Sequence, residues 1–321
     1  MGYVDVHVHA GPDVVPRRAD DLAVVRGYAE AGFSACVLKS HYESTVGRAA
    51  VASAALAALP TSIRPSGPDS CLPVGPCPPT DPCPPTDPRP PSRARSPAAA
   101  SLRVLGGLAL NGNVGGFNPA AVAAALREGG RVIWLPTQDA HTQRAAGLPR
   151  LCQQERRLPE RTYAAPPIDP TTEPALRTIL TLIAEADAVL ATGHLSTPEV
   201  AWVLRTAHEL GVRRTLVTHP SYTVPAMSAA DARSFAEVGA LLEVTAFQLL
   251  HQPGCTAQWL AGFVRAVGIE HVVLSSDAGQ PDSPAPEEAL TRLIDALATA
   301  GLDRSALRAA ASETPDRLLF R

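Results

Sequence analysis

The chain has 321 residues, 45% of them hydrophobic, and a formal net charge of −3. That length supports a large core and admits one α/β barrel or two ordinary domains. The near-neutral balance argues against nucleic acid or an anionic membrane as partner, and no run reaches the roughly 18 uninterrupted apolar residues that span a bilayer.

In chain order, the first predicted element is a strand over Tyr3–His9. It starts almost at Met1 with no cationic segment ahead of it, so no signal peptide is expected and the expected location is the cytoplasm. A helix is predicted over Asp20–Ala31, a strand over Ala35–Ser40 and a helix over Ser44–Leu59. Strands at Leu102–Leu110, Arg131–Pro136, Ala188–Gly193, Thr215–His219, Leu241–Thr245 and His271–Ser276 then alternate with Ala- and Leu-rich helical runs. Those runs are Pro119–Glu128, Pro174–Ala186, Thr197–Leu210, Ala229–Val238 and Thr256–Val267, with Pro286–Ala300 and Arg304–Ala311 after the last strand. Several begin on a capping signature such as Ser196-Thr197-Pro198-Glu199. Eight strand–helix units of this length predict a single-domain parallel α/β fold over 1–321, a closed (β/α)8 TIM barrel, with an open doubly wound sheet as the alternative. Gly106-Gly107 and the glycines from Gly112 to Gly116 do not have dinucleotide-binding spacing.

The stretch from about 60 to 100 breaks the pattern. Fourteen of the 32 prolines lie between Pro60 and Pro97, together with a tandem repeat, Pro76-Cys77-Pro78-Pro79-Thr80-Asp81 followed by Pro82-Cys83-Pro84-Pro85-Thr86-Asp87. Proline at that density excludes a helix or central strand. A disordered, low-complexity insertion is expected, on the barrel face away from the active site. Its cysteines, Cys71, Cys77 and Cys83, are spaced by six, which is not a zinc-knuckle spacing. With Cys36, Cys152 and Cys255 they do not form a disulfide framework for a chain this large.

Chemistry gathers at the strand ends. In Val4-Asp5-Val6-His7-Val8-His9 the two histidines stand two apart, and residues i and i+2 of a strand share a face. Alone, such a pair is equally a structural feature of a half-buried strand. Lys39 and His41 end the second strand, His194 the fifth, His219 the sixth and Asp277 the eighth. All are at C-terminal strand ends, which in a barrel form one mouth, where active sites lie. Asn111 and Asn113 follow the third strand and His141 follows the fourth; Asn111 and His141 are candidate substrate contacts. The long loop after the fourth strand, about 139–172, carries Arg144, Arg150, Arg156, Arg157 and Arg161, which serve either as an anion clamp or as a solvated face. His251 could reach the mouth, whereas His208 and His271 are expected to be structural or surface residues.

This pattern resembles the amidohydrolase superfamily of metal-dependent hydrolases, over the whole barrel apart from the Pro-rich insertion. The resemblance implies one or two divalent metal ions, zinc foremost. His7 and His9 would bind the first with Asp277, and His194 and His219 a second, or complete the first and contact substrate. Asp277 would also take a proton from water, whose pKa a metal lowers from about 15.7 toward about 7. The sequence departs from the binuclear pattern on the fourth strand, where Arg131-Val132-Ile133-Trp134-Leu135-Pro136-Thr137 holds no bridging lysine or glutamate. Lys39, emerging from the apolar run Ala35–Leu38, stays open as a carboxylated bridge, as a cation that polarises substrate, or as an ion-pair partner of Asp5 or Glu243. His41 stays open as ligand, acid or substrate contact. The expected activity is hydrolysis of an amide, cyclic amide, imine or ester bond of a small molecule. The alternatives are a mononuclear metal-dependent decarboxylase or lyase and a non-catalytic ligand-binding barrel. A small molecule is the expected partner, with no nucleic acid or membrane; a homo-oligomer stays open.

Overall fold

The computed structural model describes residues 2–58, 102–148 and 161–321. The expected insertion at 60–100 therefore lies outside the described residues, as do Arg150, Arg156 and Arg157. Elsewhere the alternation read from the sequence is what forms. The strands are, in order, Val4–Val8, Ala35–Leu38, a third in two pieces at Arg103–Leu105 and Gly107–Ala109, then Val132–Trp134, Val189–Ala191, Arg214–Val217, Leu241–Thr245 and Val272–Ser275. Every neighbouring pair is parallel. Just past the eighth strand the ring closes on the first: Asp277 N donates to His7 O (2.8 Å) and His9 N to Ala278 O (2.9 Å). The architecture is a (β/α)8 barrel.

The third strand was expected to be continuous and is not. Thr45, just past the second strand, wedges into the seam: its hydroxyl donates to Leu38 O (2.7 Å) and accepts from Gly107 N (2.9 Å). A Cβ at Gly106 would stand 2.5 Å from Thr45 O, and one at Gly107 only 2.0 Å from Val132 O. The Gly-Gly pair therefore allows close approach of three chain segments, which a dinucleotide reading of it would miss.

Two apolar layers hold the barrel. The inner one stacks Val4, Val6, Val37, Trp134, Ala191 and Val273 inside the strand ring. The outer one packs the other strand face against the helices. Helix Glu173–Glu185 buries Leu176, Ile179, Leu180 and Ile183, the i, i+3, i+4, i+7 stripe of an amphipathic helix. The Ser196 signature forms a full capping box with Glu199, whose Oε1 also accepts from Ala165 N (2.7 Å).

Three helices were not among the predicted elements, the short His141–Ala145 and Ala246–His251 and the C-terminal Glu313–Phe320. Leu318 and Leu319 of the last join the inner layer and stopper the barrel bottom. Arg214 holds the helix by donating to the Arg317 and Leu318 carbonyls (2.9 and 3.0 Å), and Arg103 by pairing with Asp316 (2.7 Å). Among the described residues no helix is long and apolar enough to cross a membrane. Leu319 is fully buried, so Leu319→Ala should lower unfolding free energy by about 2–5 kcal/mol. A urea midpoint within experimental error of wild type would show that the stopper contributes nothing.

Candidate metal centre

The first strand does not alternate simply. Its register against the second strand shifts between Asp5 and Val8. Asp5 turns outward and accepts from His7 N (3.1 Å), Ser276 N (3.1 Å) and the Tyr28 hydroxyl (2.5 Å). That bulge leaves Val4 and Val6 in the inner layer and sends His7 and His9 inward above them. Burial pushes the Asp5 carboxyl up to about 6, against the hydrogen bonds from Ser276 and Tyr28. Asp5 is thus not a partner of Lys39, one of the roles left open for it.

Five imidazoles close a ring at the mouth. Successive centroids lie 5.2 Å apart for His7–His9, 4.9 Å for His9–His41, 6.4 Å for His41–His194, 4.9 Å for His194–His219 and 6.1 Å for His219–His7. Two of these positions depend on left-handed backbone. Gly193 has φ +60°, and a Cβ there would meet Leu135 O at 2.3 Å, so only glycine turns the fifth strand to present His194. His219 and Asp277 hold positive φ without being glycine (23° and 48°), a conformation that costs on the order of 1–3 kcal/mol and clusters at functional sites.

Each of four imidazoles has its Nδ1 engaged from behind. His7 Nδ1 is 3.0 Å from Glu243 Oε1, His9 Nδ1 2.9 Å from the Lys39 carbonyl, His41 Nδ1 2.8 Å from Thr137 Oγ1, and His194 Nδ1 2.9 Å from Gln143 Oε1. Such contacts fix ring orientation and tautomer and leave Nε2 free for a ligand role. His219 differs: its buried Nδ1 has no hydrogen-bond partner among the described residues. Asp277 Oδ1 lies 3.0 Å from His7 Nε2 and 3.2 Å from His9 Nε2, and ligand atoms of these three residues all fall within 4.8 Å of one another. Lys39 Nζ also lies 2.9 Å from His7 Nε2 and 5.3 Å from the Trp134 ring centroid, which floors the site. Among the described residues it forms no ion pair with Glu243.

Burial holds His9, His41 and His194 well below the usual imidazole range, and His219 falls to about 4 for the same reason. Burial also pulls His7 down, but the Asp277 and Glu243 charges outweigh it and its pKa is raised. Burial would raise Asp277, yet His7 and His9 keep it well below the carboxylate range. Lys39 drops to about 8 on burial, with Asp277 and Glu243 opposing the fall.

The sequence-predicted residues divide by position. His7, His9, Lys39, His41, His194, His219 and Asp277 converge on one volume. Asn111 sits behind it: Nδ2 donates to His41 O (2.8 Å) and Thr137 Oγ1 (2.7 Å), and Oδ1 accepts from Thr137 N and Asp139 N. Its capacity is spent on the protein, so it reaches substrate only through His41 and Thr137. His141 is exposed at the start of helix His141–Ala145, and its neighbour Gln143 contacts the ring instead. His251 pairs with Ser283 Oγ (2.8 Å), outside the ring. Sequence reasoning missed Gln143, which carries no signal of its own. It also missed Glu243 as the partner of His7, although a carboxylate in the middle of the buried strand Leu241–Thr245 is itself a signal.

The fold defines the class: a parallel (β/α)8 barrel with a histidine-lined mouth. Solved structures with this fold include an amidohydrolase from Pseudomonas aeruginosa (TM-score 0.58, 10% identity, 99% of this chain and 95% of that one covered). An amidohydrolase from Burkholderia multivorans with bound HEPES gives 0.53 at 11% identity over 99% of each chain. A TatD homologue from Escherichia coli K12 gives 0.51 at 14% over 99% and 97%. The chain belongs to a family described as a family of unknown function, DUF6282, whose model matches residues 2–66 and 92–243. That match omits the tandem repeat and ends before Asp277. No protein of curated function matches the sequence.

In an NMR titration of metal-free protein, the His9, His41 and His194 ring signals should stay in the neutral form down through pH 6.5, with His219 moving only near pH 4. Midpoints at or above 6.5 for these rings would contradict the buried, neutral arrangement.

Proposed function

We propose that this protein is a metal-dependent hydrolase that cleaves an amide, cyclic amide, imine or ester bond of a small molecule. The observation that carries the reading is the convergence of His7, His9 and Asp277 within 4.8 Å, with both imidazoles braced through Nδ1. The donor set fits a divalent ion of the zinc type: two imidazoles and a carboxylate on one side, two further imidazoles facing them, and no cysteine. His7 Nε2 faces both the Lys39 amine and the Asp277 carboxylate, and a cation placed among His7, His9 and Asp277 satisfies all three donors. The unpartnered Nδ1 of His219 is a further donor in search of a partner.

When bound, such a metal supplies Lewis acidity, which makes water nucleophilic near neutral pH and polarises the scissile carbonyl or imine. His7, His9 and Asp277 would hold it, with His194 and His219 taking either a second ion or the polarised oxygen of the substrate. Asp277, kept ionised by His7 and His9, accepts the proton that water gives up. His41, stacked 4.9 Å from His9 with its Nδ1 against Thr137 and kept neutral by burial, would serve as a ligand or a substrate contact. Lys39, 2.9 Å from His7 Nε2, would help to hold metal if carboxylated or, as the amine, would polarise substrate.

One observation favours a mononuclear lyase as second reading. The fourth strand, Val132–Trp134, carries no carboxylate or lysine, and Lys39 is the lysine at the ring among the described residues. Labelled water separates the two: hydrolysis puts ¹⁸O into product, and decarboxylation does not.

Metal analysis of purified protein tests the shared premise. We expect at least one equivalent of zinc in wild type and close to none in His7→Ala. Two equivalents falling to one in Lys39→Ala identifies the bridge, and one equivalent unchanged by Lys39→Ala removes it. Glu243→Gln, which loosens His7, should weaken zinc affinity by about 10- to 100-fold. Zinc content unaffected by His7→Ala overturns the proposal.

A further inference from the structure

A groove with no part in the metal centre runs along the outside of the barrel. It lies between helix Thr197–Glu209 and helix Ala229–Glu237 and has a volume of about 1080 Å³. That matches the upper end of the range for small-molecule sites, roughly 300–1,000 Å³. The first helix turns Ala201, Leu204, Arg205, His208 and Glu209 into it, a stripe at i, i+3, i+4, i+7 and i+8 that is about 12 Å long. Leu204, Val212, Phe235 and Ala240 line it as buried apolar groups, while Val238 stands 70% exposed at its edge.

Charge around the groove is uneven. At its foot, where each helix turns into the next strand, Asp187 serves three guanidiniums. Arg213 Nη2 donates to Oδ1 (3.1 Å), Arg214 Nη2 to Oδ2 (2.7 Å) and Arg131 Nη1 to the Asp187 carbonyl (2.8 Å). One carboxylate against three cations leaves positive charge in excess, and burial together with the Arg214 charge lowers the Arg131 pKa. Arg213 lines the groove with its side chain 75% exposed, so a ligand from solvent reaches it. Arg205 is exposed on the wall and makes no hydrogen bond or ion pair among the described residues. Glu209 is the one acid on the lining among the described residues, and Arg177 offsets it at 3.8 Å.

An apolar floor beside surplus positive charge complements a molecule that is hydrocarbon along its length and anionic at one end. A protein partner fits this surface less well. Of the large hydrophobic residues exposed among the described residues, only Val238 borders the groove, whereas a stable protein interface buries about 1,200 Å² or more around an apolar centre.

We propose that this groove binds a small amphipathic carboxylate, with its chain along Leu204, Val212 and Phe235 and its head group at Arg205 and Arg213. The site is at the opposite end of strand Arg214–Val217 from His219, and the proposal is independent of the chemistry at the histidine ring.

The probes are hexanoate, octanoate and decanoate, each below its micelle concentration, titrated calorimetrically into full-length protein. Octanol and octyltrimethylammonium are the uncharged and cationic counterparts. A buried CH₂ group is worth roughly fourfold in affinity, so each two-carbon step should tighten binding by about tenfold. Wild type should bind octanoate about fivefold or more tightly than octanol, and octyltrimethylammonium without saturation. Replacing both arginines, Arg205→Gln with Arg213→Gln, should weaken octanoate by about tenfold and leave octanol unchanged. Ala201→Trp, at an exposed position, fills the groove and should abolish binding of both. Should Ala201→Trp not fold, Val238→Asp is read instead: its charge at the edge should weaken octanoate by about fivefold. Four results overturn the proposal: no saturable octanoate binding by wild type, affinity indifferent to chain length, octanol bound as tightly as octanoate, or octanoate binding that survives the groove substitution or the paired arginine substitutions. The last of these places the acid at another site, the metal centre included.

Discussion

The site depends on one constraint: five imidazoles, a lysine and two carboxylates are buried together, and each must find a partner without freezing the face turned to the centre. The barrel meets it by placing acceptors behind the rings. Glu243, the Lys39 carbonyl, Thr137 and Gln143 take the Nδ1 atoms of His7, His9, His41 and His194. These four acceptors come from the seventh strand, the end of the second, and the segment after the fourth. Closing the barrel and orienting the rings are thus one event. A change that opened the seam between the first and eighth strands would disturb His7, His9 and Asp277 together, because the hydrogen bonds that close the seam involve those same residues.

The supports extend outward in layers. Glu243 holds His7 and is itself held by the Ser275 hydroxyl at 2.7 Å, while its other oxygen accepts from His219 N at 3.2 Å. Asn111 ties the His41 carbonyl to Thr137 and to the loop after the fourth strand. These groups do not face the centre of the ring, but they fix where the imidazoles stand. Low dielectric makes such a network strong when complete and costly when one member is missing.

Much of this was legible in the sequence, for physical reasons. Parallel strands covered by helices read as apolar runs between helical stripes, so the eight units stood out. Polar residues at the ends of those runs have few reasons to be there, so His7, His9, His194, His219 and Asp277 could be picked out. What stayed hidden depends on backbone detail. The bulge that turns Asp5 away from His7, the glycine turn at Gly193 and the wedge of Thr45 leave no periodic trace. Gln143 reaches His194 only because a short helix starts at His141, and polar side chains in loops do not announce their direction.

Zinc-edge X-ray absorption on the loaded protein, joined to anomalous diffraction at the same edge, tests the central claim most directly. The account predicts zinc held by His7 Nε2, His9 Nε2 and an Asp277 oxygen, with nitrogen and oxygen ligands at about 2.0–2.2 Å. Zinc bound elsewhere, or a shell lacking the two imidazoles of the first strand, would contradict it.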